Sequence, residues 1–105
     1  GGEFVSLPYI EDTLMKIEFV NELSVVSFED SFWGNKILVF FVKHETISEN
    51  SIIENFVRLS QQYLTKIEMP DEYICLNNLP KTTIGKIKKN ELIETYRNKL
   101  ELLKK

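Results

Sequence analysis

Apolar residues follow two different spacings along the chain, and each spacing predicts a different kind of element. Ile10, Leu14 and Ile17 recur every three or four positions, which is typical of one face of a helix. Residues 22–28 mix apolar and polar positions in the way of a strand. Residues 36–43, KILVFFVK, form a near-continuous apolar run between lysines, which predicts a central strand that is covered on both faces.

The second half of the chain predicts a helix, a strand and a last helix. Ser48 and Ser51 are candidate helix caps, and Ser51 to Glu54 matches the capping-box pattern. The predicted stripe of the following helix comprises Ile52, Ile53, Phe56, Val57, Ser60, Tyr63 and Leu64. Residues 72–77 predict a third strand, and a last helix begins near Lys88. Its inward positions are predicted to be Leu92, Ile93, Tyr96, Leu100 and Leu103. The order α-β-β-α-β-α predicts an α+β fold, with a small central sheet of about three strands flanked by helices.

Length and composition fit one ordinary globular domain. The chain has 105 residues, of which 43% are hydrophobic and 28% are charged. The longest apolar run, 37–42, is too short to span a bilayer, and no apolar leader opens the sequence. Cys75 is the single cysteine, so no internal disulfide can form. These features predict a cytoplasmic protein without a transmembrane segment.

Charge is divided unevenly along the sequence. Residues 81–105 contain eight Lys or Arg and three Glu, whereas residues 1–80 contain five Lys or Arg and thirteen Asp or Glu. The basic end is interpreted either as a solvated helix face or as a surface that binds phosphates. It lacks interleaved exposed aromatic residues and any recognition motif, so no nucleic-acid partner is predicted.

A Gly-Lys pair lies in the loop Pro80-Lys-Thr-Thr-Ile-Gly-Lys-Ile87. A phosphate-binding P-loop is excluded, because that motif requires a glycine where Pro80 stands and a Ser or Thr where Ile87 stands. Gly85 would permit a close approach of the backbone to a ligand. Lys86 follows on a short loop before a helix, where its side chain could project beyond the domain. A solvated loop lysine is the alternative interpretation.

The residues around this pair resemble a known family signature. Leu79 to Leu92 is similar to the final signature of the adenylate-forming superfamily, which includes acyl-CoA synthetases, peptide-synthetase adenylation domains and luciferases. Gly2 to Glu11 resembles the family segment G-E-x-V-S-P-x-E-I-E, and the stretch from Phe32 to Val42 resembles its W-G-E and A-F-V block. Within the signature, Ile84 stands where Ser or Thr is common and Lys89 stands where Arg is usual.

The resemblance implies that residues 1–105 are the mobile C-terminal lid domain of an ATP-dependent acid–thiol ligase. An N-terminal domain that binds ATP, Mg and the acid would precede it, and the chain alone would be inactive. The implied reaction forms an acyl-adenylate and releases pyrophosphate. The acyl group then passes to the thiol of CoA or of a carrier protein's phosphopantetheine.

The resemblance also assigns roles to individual residues. Lys86 would be the catalytic residue of adenylate formation. Contacts to nucleotide or substrate are expected from Gly85, Thr82 and Lys81. The wall of the pantetheine tunnel is expected from Gly2, Val5 and Ser6. No metal ligand is predicted in this chain.

The acid and the acceptor are less closely defined. The segment Gly1 to Leu7, with Leu7 in place of the family's usual Pro, is similar to that of fatty acyl–carrier-protein synthetases. This resemblance favours a fatty acid as the substrate and a carrier protein or CoA as the acceptor. One alternative is a non-catalytic module of the same fold that binds a carrier protein or another enzyme, and the intact Gly85–Lys86 pair argues against it. A second alternative is a peptide-synthetase adenylation fragment. The end of the chain at Lys105, with no carrier domain following, argues against that one.

Overall fold

A computed structural model describes residues 5–104 and confirms the predicted order of elements. The helices are α1 (Leu7–Leu14), α2 (Glu49–Tyr63) and α3 (Lys89–Lys104), and a 3₁₀ turn spans Lys66–Glu68. The strands are β1 (Val20–Phe28), β2 (Lys36–Lys43) and β3 (Glu72–Cys75). Within the described part of the chain, no helix is both long enough and apolar enough to cross a membrane.

The three strands form one mixed sheet in the order β1-β2-β3. β1 and β2 are antiparallel, and the turn between them is closed by Asp30, whose carboxylate accepts hydrogen bonds from the amides of Phe32 (2.7 Å) and Trp33 (2.8 Å). β3 is parallel to β2, so the chain must cross over between them, and α2 makes that crossover. Because β1 pairs only with β2 among the described strands, its other side is a free edge of the sheet.

Helices cover both faces of the sheet, which gives two hydrophobic cores. α1 and α2 pack on one face, where the buried residues are Ile10, Leu14, Leu23, Val25, Val39, Phe41, Ile52 and Phe56. α3 packs on the other, where the buried residues are Val26, Phe28, Leu38, Phe40, Leu79, Leu92, Tyr96 and Leu100. Successive β2 residues alternate between the two cores because side chains of a strand point to opposite faces. The prediction of a central strand covered on both faces is confirmed.

Phe56 of α2 joins its helix to the sheet through two aromatic contacts. Its ring meets Phe41 edge-on, with 5.0 Å between centroids, and stacks on Tyr73 at 5.4 Å. The hydroxyl groups of Tyr73 and Ser60 lie 3.2 Å apart, and burial raises the pKa of Tyr73. These contacts fix α2 over β2 and β3.

Several predicted details were wrong at the ends of elements. Of the two candidate caps of α2, Ser48 is confirmed, because its hydroxyl accepts a hydrogen bond from the Ser51 amide at 3.1 Å. Ser51 lies within the helix, so the capping box from Ser51 to Glu54 was wrong. β3 ends at Cys75 rather than at residue 77. Tyr63 is 48% exposed and Leu103 is 68% exposed. Both lie in the last turn of a helix, beyond the turns that are buried against the sheet, so helical spacing alone overestimated the inward stripe.

The Phe56 contacts predict a large effect of truncation. The 105-residue chain should unfold cooperatively in urea, and Phe56→Ala should lower its free energy of unfolding by about 3–5 kcal/mol, because the lost ring leaves a cavity. Far-UV circular dichroism during urea titration measures this. Phe32→Ala, which changes a phenylalanine that is 65% exposed, is the matched control and should cost far less. Equal costs for the two variants would contradict the packing described here.

Candidate functional site

The loop before α3 folds as a tight β-hairpin. Lys81 and Ile87 pair across it in antiparallel fashion, and the Thr82 amide donates to the Lys86 carbonyl at 2.8 Å. The Gly85 amide donates back to the Thr82 carbonyl at 2.9 Å. This is a three-residue hairpin loop, in which a turn is followed by a residue with positive φ. The hairpin places Lys86 directly after its tip.

Gly85 has a structural role in this turn. Its φ is +90°, a conformation that L side chains rarely adopt, and an added Cβ would meet no atom within 4 Å. The turn therefore accounts for the glycine without any ligand. The Thr82 hydroxyl likewise accepts a hydrogen bond from the Lys86 amide at 3.1 Å. The predicted contacts of Gly85 and Thr82 with a nucleotide stay predictions.

Lys86 differs from the other lysines of its segment in having no partner. Its side chain is exposed, and among residues 5–104 no carboxylate lies within ion-pair distance of its ammonium group. The other three are paired: Lys81 with Glu22, Lys88 with Glu91 (3.2 Å) and Lys89 with Glu11 (3.0 Å). The positive charge of Lys86 is therefore the one on this segment that remains uncompensated within the described residues.

Lys81 was predicted to contact nucleotide or substrate, and the structure gives it an internal partner. Its ammonium group meets the carboxylate of Glu22 on the edge strand β1. Substrate contact through Lys81 would compete with this ion pair. The prediction for Lys81 remains untested, but Lys86 is better placed to bind an anion.

An open depression of about 730 Å³ lies between the hairpin and the first turn of α3. Thr82, Gly85 and Lys86 line it, together with residues 87–91. The start of a helix favours negative charge, and the lysines add to that preference. The depression is open to solvent, and Ile84 at the hairpin tip is 88% exposed. This arrangement suits an anion that is held partly by a second surface.

Two of the predicted tunnel residues, Val5 and Ser6, lie apart from this depression. Val5 is half-buried against the core that α1 covers, and the Ser6 hydroxyl accepts a hydrogen bond from the Tyr9 amide at 3.2 Å as the cap of α1. Neither of them lines the depression beside Lys86. Gly2, the third predicted tunnel residue, lies outside the described residues.

The described residues do not fit a magnesium ion. Between residues 5 and 104, no group of three or more His, Cys, Asp or Glu side chains is placed to hold a metal. Mg²⁺ prefers oxygen ligands, whereas the depression is flanked by ammonium groups.

One element of the site was missed from the sequence. Lys89 donates to the Glu11 carboxylate and also to the backbone carbonyl of Val25, both at 3.0 Å. It thereby connects the start of α3 with α1 and with the free edge of β1. Residues so distant in the sequence give no local spacing signal, so only the tertiary structure shows this contact.

The described residues form a small α+β domain, with a mixed sheet between helices and a lysine-bearing hairpin before the last helix. The sequence comparison gives the family: residues 9–86 match the AMP-binding enzyme C-terminal domain. The chain belongs to this family. The predicted resemblance to the adenylate-forming superfamily is confirmed.

Relatives of known activity and structure agree with this assignment. The 2-succinylbenzoate–CoA ligase of Listeria innocua is 32% identical over 98 residues, which cover 93% of this chain and 20% of that ligase. ATP-bound MatB from Rhodopseudomonas palustris has a TM-score of 0.75 at 28% identity and is matched over 91% of this chain and 19% of its own. A fatty acyl CoA synthetase of Mycobacterium tuberculosis has a TM-score of 0.74 at 29% identity, over 91% and 18%. The chain spans about a fifth of the length of the curated relatives it matches.

The hairpin geometry predicts a conformational cost at Gly85. Gly85→Ala should destabilise the 105-residue chain by about 1–2 kcal/mol, because alanine is strained at positive φ. Gly34→Ala is the matched control, since Gly34 has φ +84° and equally open surroundings. Both variants should lose similar stability in urea, whereas only Gly85→Ala should shift the amide NMR signals of Thr82 and Lys86. An unchanged hairpin spectrum in Gly85→Ala would contradict the turn.

Proposed function

We propose that residues 1–105 form the mobile C-terminal lid domain of an ATP-dependent acid–thiol ligase, in which Lys86 serves adenylate formation. The observation that carries this proposal is the ammonium group of Lys86, which lies on a projecting hairpin and has no carboxylate partner among residues 5–104. The neighbouring lysines are each paired with a carboxylate. Membership of the AMP-binding enzyme C-terminal domain family supports the ligase assignment.

The chemistry of adenylation fits such a group. The carboxylate of the acid attacks the α-phosphorus of ATP, and pyrophosphate leaves. Negative charge then develops on oxygens of the phosphoryl group, where a positioned ammonium group stabilises it. Loss of one such group typically reduces the rate by about 100- to 1,000-fold, or about 3–4 kcal/mol.

The remainder of the active site would come from a preceding domain. The depression beside Lys86 is open, and the described residues of this chain do not enclose a nucleotide. The relatives are about five times as long as this chain, which leaves room for a domain that binds ATP and the acid. The lid would bring Lys86 to that domain for adenylation and then turn away.

The names of the relatives support CoA as the acyl acceptor and leave the acid broad. The Listeria ligase is named for 2-succinylbenzoate and the Mycobacterium structure for fatty acyl groups, and both names include CoA. We therefore propose a carboxylic acid and CoA. A fatty acid substrate and a carrier-protein acceptor stay predictions from Leu7.

The same observations give less support to the two alternative functions, a non-catalytic binding module and a peptide-synthetase fragment. A non-catalytic binding module has no need for an uncompensated lysine on a projecting hairpin, so Lys86 favours a catalytic role. A peptide-synthetase fragment would share this domain and would differ in the acceptor. Acyl transfer to CoA by the full-length enzyme distinguishes it.

Lys86→Ala in the full-length enzyme should reduce adenylation by about 100- to 1,000-fold, because the charge on the α-phosphoryl group loses its partner. ATP–pyrophosphate exchange measures this half-reaction. Transfer of the acyl group from supplied acyl-adenylate to CoA should remain within a few-fold of the native rate.

Lys88→Ala is the matched control for the charge of the loop. Lys88 lies two residues away, just before α3, and is paired with Glu91 in the first turn of that helix. It should retain most of the exchange activity. Equal losses in Lys86→Ala and Lys88→Ala would show that only the general positive potential matters. Normal exchange by Lys86→Ala would remove Lys86 from catalysis.

The second half-reaction has its own prediction at the start of the chain. Gly2, Val5 and Ser6 are proposed to border the pantetheine arm when the lid turns to thioester formation. Gly2→Trp in the full-length enzyme should spare ATP–pyrophosphate exchange and block acyl transfer to CoA, because the indole would fill the path of the arm. Loss of both half-reactions in parallel would indicate misfolding and would contradict this role.

A further inference from the structure

Two contacts fasten the Lys86 hairpin to the free edge of the sheet. On the side before the turn, Lys81 meets Glu22 of β1. On the side after it, Lys89 meets Glu11 of α1 and the carbonyl of Val25 in β1. Both contacts join residues that lie far apart in the sequence, and Lys86 lies between them.

The Lys89 contact has the stronger geometry for fixing a direction. One ammonium group is held by two acceptors on two different elements, each at 3.0 Å. Glu11 lies on the helix of one sheet face and Lys89 begins the helix of the other, so the contact closes around the β1 edge. Lys86 precedes Lys89 by only three residues in the sequence, so the contact lies close to the hairpin.

We propose that Lys89 is a positioning residue, which holds the hairpin at a fixed angle to the sheet so that Lys86 projects in one direction. The inference rests on the adenylation role of Lys86 proposed above. Lys89 also borders the depression, but its ammonium group is held by Glu11 and by the carbonyl of Val25, so its role is assigned to the hairpin. It acts by holding the hairpin that carries Lys86. The position of Lys86 matters because a catalytic group that is misplaced by about 1 Å can lose about 100-fold in rate.

A purely stabilising role is the alternative, and the exposure of the pair argues against a large one. The Lys89 side chain is 42% exposed and that of Glu11 is 24% exposed. Pairs of this kind contribute little to global stability. The effect of losing the contact should therefore be local to the hairpin.

The first test measures hairpin mobility in the 105-residue chain. ¹⁵N relaxation should give order parameters of about 0.85 at Gly85 and Lys86 in the native chain. In Lys89→Met these order parameters should fall toward about 0.6. Lys89→Arg should keep the native values, because a guanidinium can donate to both acceptors. Lys88→Met removes an adjacent charge without this contact and should also stay rigid. Native order parameters in Lys89→Met would overturn the proposal.

The second test uses the full-length enzyme. Lys89→Met should lower kcat of ATP–pyrophosphate exchange at least about 10-fold with little change in KM, and Lys89→Arg should restore it. Acyl transfer from supplied acyl-adenylate should be unchanged. Equal losses in both half-reactions, or no rescue by arginine, would contradict positioning.

The two proposals fail in different ways. If Lys86→Ala keeps normal exchange while Lys89→Met loosens the hairpin, the catalytic assignment is wrong and the mechanical contact stands. If Lys86→Ala is inactive while Lys89→Met stays rigid and active, adenylation by Lys86 stands and positioning by Lys89 is wrong.

Discussion

The proposed role of this domain depends on one constraint: one ammonium group in the lysine-rich segment 81–89 has to stay uncompensated. An ammonium group that is already bound to a carboxylate has to give up that partner before it can stabilise another anion. Lys81, Lys88 and Lys89 each have such a partner, and within residues 5–104 Lys86 has none. Glu22 and Glu11, in the acidic part of the chain, thus pair with Lys81 and Lys89, whereas Lys88 pairs locally with Glu91.

The two hydrophobic cores, one on each face of the sheet, make the sheet a rigid support for the hairpin that carries Lys86. β2 is buried on both faces, and β1 beside it presents a free edge with Glu22 and the carbonyl of Val25. The hairpin is fastened to that edge while its tip extends into solvent. Rigid elements behind a projecting loop are a general way to place a functional group accurately.

Much of the fold could be predicted because its signals are local. The KILVFFVK run identified β2 with its bounds, since a strand covered on both faces is apolar throughout. The ends of helices were less accurate. Tyr63 and Leu103 continue the helical spacing but lie past the sheet, and the spacing contains no information on where the neighbouring surface stops.

The candidate site also has one part that the sequence could predict and one part that only the structure shows. The Gly85–Lys86 pair was identified from neighbouring residues, and positive φ at Gly85 explains the glycine through local turn chemistry. The pairing that distinguishes Lys86 from the other lysines depends on Glu22 and Glu11, which only the tertiary structure brings close. Sequence alone could therefore locate the loop but could not show which of its charges is free.

Competitive amine labelling of the full-length enzyme tests this central claim most directly. With limiting reagent and mass spectrometry, Lys86 should be the most reactive of the four lysines in the segment 81–89, because its amine has no carboxylate partner among residues 5–104. A tightly bound analogue of the acyl-adenylate should protect Lys86 and leave Lys99, which does not line the depression, unchanged. Slow labelling of Lys86 in the free enzyme, or equal labelling with and without the analogue, would contradict the account.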